Sequence, residues 1–266
     1  FGEQELNLLA SASIRYGEET LRNAYYRTYE ASSEGLVCTE SSYDSYKSKL
    51  NLAALVDLEY SYKPQQSIGM TYFFARNAVS DYQRRNVLDH LETYDLIGSN
   101  SVSHFYTMHD LQFTGKHTLG GGKWTLDWGT SFCATASDEP DRRQVMFSRN
   151  ADGSLGFFNL NQQETQRYFG KLSEYEAVAD IRASRVFDEW NRLGFGVSVK
   201  DKSRSFETTR FYYNLRKITD RIEDIGNMDP YINDANIESG LVSVDRKQHK
   251  RDSYKASNLI GAAFVD

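Results

Sequence analysis

The chain has 266 residues, 39% of them apolar and 14% aromatic, with 18 Tyr, 15 Phe and only 3 Pro. That aromatic load excludes a disordered chain, and the thin aliphatic complement argues against a common α/β enzyme. A formal charge of −6 speaks against nucleic acid as a partner, because nucleic-acid binders usually carry a basic patch.

Cys38 and Cys133 stand far apart, fit no metal spacing and make no disulfide framework. No run of about 18 apolar residues marks a transmembrane helix. Phe1 opens the chain with neither an initiator methionine nor a signal peptide, so the N-terminus is expected to be a cut edge.

From the first residues onward the dominant signal has period two. Leu6, Leu8, Ala10, Ala12, Ile14 and Tyr16 alternate with polar residues, Leu9 being the exception. Residues 52–62 repeat the pattern, with Leu52, Ala54, Val56, Leu58, Tyr60 and Tyr62 against Asp57, Glu59 and Ser61. Further on, Tyr175, Ala177, Ala179 and Ile181 oppose Glu176, Asp180 and Arg182, and Leu193, Phe195, Val197 and Val199 oppose Lys200, Lys202 and Arg204. The expected strands are 4–16, 22–30, 47–62, 67–77, 103–119, 123–136, 172–186, 193–213 and 251–266.

Short links are expected at 17–21, 63–66, 120–122 and 187–192, and long ones at 31–46, 78–102, 137–171 and 214–250. Strict alternation of short and long links is the order of an antiparallel transmembrane β-barrel, with short periplasmic turns and long extracellular loops. A sheet in hydrocarbon must pair its whole backbone and turn its apolar side chains to lipid. Asp57, Glu59, Asp127, Asp180, Arg182, Lys200, Lys202 and Arg204 are then expected on the lumen face. There they serve as a solvated wall, a path for a polar solute, or a docking surface held by charge pairing. Trp124, Trp128, Tyr60, Tyr62 and Tyr16 are expected at the short-turn ends, as an interfacial girdle. The competing reading is a soluble β-sandwich with aromatics at the edge of its core.

Four stretches carry a resemblance. TGKHTLGGGKWTLDWGTSFCATASDEPDRRQVMF (114–147), YFGKLSEYEAVADIRA (168–183), LGFGVSVKDKSRSFETTRFYYNL (193–215) and DSYKASNLIGAAFVD (252–266) are similar, in this order, to the barrel of TonB-dependent outer-membrane receptors. The likeness is to the large branch abundant in gut-type Gram-negative bacteria and covers the chain from about residue 50 onward. It implies energised import of a bulky nutrient such as a glycan, peptide or metal chelate. The implied location is the bacterial outer membrane, with lipid as surroundings and the TonB complex reached through an N-terminal region. A surface lipoprotein is left open as a further partner. The family also carries a plug domain and closes about 22 strands, so residues 1–266 are expected to be a middle slice of about nine.

Catalytic motifs are lacking: there is no nucleophile elbow, phosphate-binding glycine loop or His-Glu-x-x-His. No enzyme, cofactor or metal site is expected, and no individual residue is singled out as a ligand contact. His104, His109 and His117 share one expected strand, but the last two lie roughly 27 Å apart along it and cannot share a metal. Recognition is expected on the long links, where Phe147, Phe157, Phe158 and Tyr168 accompany Arg142, Arg143, Arg149 and Arg167. Phe211, Tyr212, Tyr213 and Tyr231 follow in the 205–250 region. The alternatives are a porin-like or scaffolding barrel and, third, the soluble sandwich, here one that binds carbohydrate.

Overall fold

A computed structural model describes residues 4–31, 34–158, 165–247 and 252–266. Its strands are β1 (Glu5–Tyr29), β2 (Val37–Lys63), β3 (Gln66–Asp89), β4 (Tyr94–Leu119), β5 (Trp124–Arg149), β6 (Leu155–Phe157), β7 (Gln166–Val186), β8 (Arg192–Asn214), β9 (Ser243–Lys247) and β10 (Ser253–Val265). One five-residue helix, α1 (Asp234–Glu238), lies between β8 and β9. All strands belong to one antiparallel sheet in the order β1-β2-β3-β4-β5-β7-β8-β10. The short β6 pairs with the end of β5, and β9 with the end of β8. The sheet does not close: β1 and β10 are its edges.

Residues directly opposite in an antiparallel ladder share a face, so the register sorts the side chains. One unbroken row runs Leu8, Leu58, Met70, Phe113, Thr130, Ala179, Val199, Gly261. The neighbouring row on the other face runs Leu9, Asp57, Thr71, Gln112, Ser131, Val178, Lys200, Ile260. The sheet therefore has one apolar and one largely polar face, and among the described residues no second layer covers the apolar one. Ile14 is 74% exposed and Leu6 and Leu8 each 66%. The buried cluster of Val87, Leu96, Met146 and Phe158 lies instead at the far end of the strands, on the polar face.

The upper margin of the apolar face does not follow the rows. Counting away from the 64–65 turn, it reaches Tyr16 on β1 and Leu50 on β2, which are partners. It falls to Ala136 on β5, Tyr175 on β7 and Val199 on β8, where Asp201 succeeds it on the same face.

Several expectations need correction. Strands 4–16 and 22–30 are one strand, β1: Gly17 through Leu21 pair without a break with Lys49 through Ser45. The irregularity sits at Arg22–Asn23, a bulge in which Asn23 takes a positive φ of 54° and donates its N–H to Asp44. Tyr16 consequently lies mid-strand rather than beside a turn. Most of the long links 31–46, 78–102 and 137–171 are strand too, and 90–93 is as short a link as 120–123. Strict alternation of short and long links therefore fails, and eight long strands replace the expected nine. The physical reason is common to all of these. Beyond the apolar margin both faces are polar, so hydropathy loses its period of two while the backbone goes on pairing.

Pro140 shows how β5 tolerates a residue without an N–H. The ladder to β7 shifts between Glu139 and Arg142, and the ladder to β4 shifts across the same stretch. Proline is accommodated at such bulges. The turn 120–123 has Gly120, Gly121 and Gly122 all at positive φ, a run that side chains with Cβ adopt only under strain.

Candidate functional site

The eight charged residues expected on one face do share it. Register places Asp57 and Glu59 of β2, Asp127 of β5, Asp180 and Arg182 of β7, and Lys200, Lys202 and Arg204 of β8 together on the polar face. The basic residues of β8 are matched by Glu174 and Glu176 of β7. Lys200 meets Glu176 at 2.7 Å, Lys202 meets Glu174 at 2.8 Å, and Arg204 also bonds Glu174. Glu174 was not singled out from the sequence, although it continues the period of Glu176 by one step. Arg182 reaches Asp266 at 3.2 Å.

The acids of β2, β5 and β7 are arranged differently. Glu59, Asp127 and Asp180 line a groove of about 430 Å³ with Lys116, floored by Gly69 and Gly129. A Cβ at Gly69 would meet the Thr114 hydroxyl at 2.7 Å, and one at Gly129 the Asp180 carboxylate at 3.0 Å. The two glycines keep the groove open. Asp57 sits beside it and accepts from the Thr71 hydroxyl at 2.5 Å.

The three histidines are kept apart. His104 lies 3.5 Å from Glu139, and His109 shares a hydrogen bond with the Tyr72 hydroxyl at 2.8 Å. His117 accepts the Trp128 indole N–H at Nε2, at 3.0 Å. Its Nδ1 therefore carries the proton, within 3.1 Å of Gln66 Oε1 and 3.2 Å of the Tyr62 hydroxyl. Among the described residues, no group of three His, Cys, Asp or Glu could hold a metal ion, and no helix is long and apolar enough to cross a membrane.

Trp124, Trp128, Tyr60 and Tyr62 cluster at the end of the sheet that carries links 64–65 and 120–123. Two more aromatics, in a link without any hydropathy period, lie at that end. Trp190, in the 187–191 link, is 91% exposed, and Phe187 lies under the Arg185 guanidinium at 4.7 Å. Arg185 also covers Trp124, at 5.2 Å. Asp188 organises this link by accepting the backbone N–H groups of Trp190 and Asn191, each at 2.9 Å. Its carboxyl is held below the usual range first by the Asn191 side chain and then by the Trp190 N–H.

At the opposite end the aromatics expected to meet a ligand mostly meet one another. Phe147 is fully buried against Phe157, which meets Tyr231 edge-on at 5.5 Å. Phe158 packs edge-on against Tyr94 at 5.1 Å. Tyr168 is different: the guanidiniums of Arg142 and Arg210 lie 5.2 and 5.5 Å from its ring. Arg142 is held by Glu139 at 2.6 Å. Nearby, Asp141 receives Arg167 at 2.8 Å and Arg143 at 2.5 Å.

No family model, curated protein or solved structure matches the chain.

Proposed function

We propose that the chain is part of the wall of an outer-membrane β-barrel, with its apolar face toward lipid and its charged face toward the lumen. The observation that carries the reading is the continuous apolar face of a single-layer sheet, exposed or half-buried below its margin on strands of 21 to 27 residues from β1 to β8 apart from the short β6. About 9 to 11 tilted residues suffice to cross a bilayer, which is the stretch from Leu50 to Tyr60 on β2. In water such a face would be an extended aggregation surface; in hydrocarbon it has the medium it needs. The carbohydrate-binding sandwich requires two packed sheets, and all the described strands lie in one.

The finer assignment is a TonB-dependent receptor that captures a bulky nutrient on its outer side and imports it without altering it. Its support is the resemblance of the four segments, together with a lumen face whose open acids, Glu59, Asp127 and Asp180, suit a basic surface docked inside. TonB drives the plug in this reading. A porin-like or scaffolding barrel is the second reading; it shares the same wall and lacks the plug.

The whole polypeptide should run as a heat-modifiable, detergent-dependent β-protein. A monomer that stays in solution without detergent would overturn the barrel. Loss of uptake on dissipating the proton-motive force supports the receptor, and uptake indifferent to it supports the passive channel.

A further inference from the structure

The polar face carries a second, unassigned surface above the apolar margin, beneath the buried cluster of Val87, Leu96, Met146 and Phe158. One register row there sets four side-chain amides side by side, Gln83 of β3, Asn100 of β4, Gln144 of β5 and Gln166 of β7, between Ser45 of β2 and Tyr212 of β8, with Asp245 of β9 beyond. The four amides and Tyr212 are half-buried. Side-chain amides offer a donor and an acceptor each, the complement of a hydroxyl-rich solute.

Arg85 of β3 lies one row further up, on the same face. Its partner on β4 is Gly98, where a Cβ would strike Met146 Sδ at 2.3 Å. With no side chain at Gly98, Arg85 spans β4 and donates from Nη2 to Gln144 Oε1 of β5 at 3.2 Å. Its Nε is buried and makes no hydrogen bond, and the buried Oδ1 of Asn100 accepts none. Among the described residues Arg85 has no ion pair with a carboxylate, whereas Arg142, Arg143, Arg149, Arg167, Arg182 and Arg204 each have one. A half-buried guanidinium held beside neutral amides is a site for an anion, since burying a charge without a counter-charge is costly. One row down from the amides, Tyr168 presents its ring between Arg142 and Arg210.

We infer that this shelf binds an acidic, polyhydroxylated solute, an oligosaccharide bearing carboxylate or sulfate groups, with Arg85 holding the anion and the amide row the hydroxyls. As the capture site of an importer the assignment rests on the transport reading; as an anion site it stands on the side chains alone. Asp81 and Asp245 also face the shelf's margins. Asp81 is already engaged by Ser45, by Lys47 and by the Gln83 amide N–H at 2.9 Å, which leaves Gln83 its carbonyl oxygen for a solute, and Asp245 is exposed opposite Tyr212.

The test is calorimetric titration of the purified full polypeptide, in detergent where it needs it, with three probes of equal length: a glucuronic acid oligomer, a sulfated oligosaccharide and a neutral glucose oligomer. At least one acidic probe should bind tenfold or more tighter than the neutral one. Arg85→Gln should remove that difference while retaining β-sheet circular dichroism. Arg149→Gln, on the other face and paired with Asp95, should leave it intact. Equal affinity for acidic and neutral probes, or an acidic preference that survives in Arg85→Gln, overturns the proposal. So does failure of the folded protein to bind any acidic probe. Because solubility without detergent is read separately, the barrel can fail while the anion site stands, and the reverse.

Discussion

Trp128 and His117 stand on the apolar face, yet each brings a polar nitrogen with it. The indole N–H ends on His117 Nε2, and the His117 Nδ1–H faces Gln66 and Tyr62, so the chain satisfies these polar groups within itself, as a lipid-facing surface would require. An unsatisfied buried donor costs about 1–3 kcal/mol. His117→Leu is expected to destabilise the protein by about that much, read as a lower temperature for the heat-modified gel shift. The double change with Trp128→Phe should restore part of the loss, because both partners are then removed. Asp141 gives a pH dependence at the other end. Burial pushes its carboxyl up, but the hydrogen bonds from Arg167 and Arg143 outweigh this and hold it below the usual range. A lowered folded pKa means that its stabilisation is present above the ordinary carboxylate pKa of about 4 and is lost as pH falls through the lowered value. Amide exchange in residues 166–170 should therefore accelerate in that acid window, and Asp141→Asn should flatten the acceleration.

At the scale of elements, glycines separate turn from strand. Gly17 has no atom within 4 Å of an added Cβ and no positive φ, whereas Gly121 sits at φ +67°. Gly17→Ala should be tolerated, and Gly121→Ala should cost about 1–2 kcal/mol in denaturant midpoints of the refolded protein. The same pair explains what could be read from the sequence. The turn at 120–122 was legible because three glycines in a row have few other uses. Gly17 was misread as a turn because the following Glu18, Glu19 and Thr20 break the apolar rhythm, although their backbones continue the ladder to β2. Strand identity was legible wherever one face is apolar, as in Leu193 to Val199. It was hidden wherever both faces are polar, as in Ser80 to Arg85. The sidedness of Asp57, Lys200 and their companions followed from period two alone. The amide shelf did not, because Gln83, Asn100, Gln144 and Gln166 are brought level only by register, which no local pattern encodes.

At the scale of the whole molecule, the two faces should respond oppositely to the same change. Val197→Arg, on the apolar face, is expected to cost about 2–4 kcal/mol in a bilayer, while Ser198→Arg on the opposite face should cost far less. Equal penalties would show that both faces meet the same medium. The margin of the apolar face adds a quantity. Between Tyr16 on β1 and Val199 on β8 it descends by about eight residues over six inter-strand spacings. At about 3.4 Å per residue and 4.8 Å per strand, the slope is about 40°. A slab with level surfaces leaves such a diagonal on a sheet only if the strands lean by that angle, and closed barrels lean by 35–45°. The boundary between leucine and aspartate is thus an inclinometer written in side chains. Polarised infrared dichroism of the protein in oriented bilayers should return about 40° between the strands and the membrane normal.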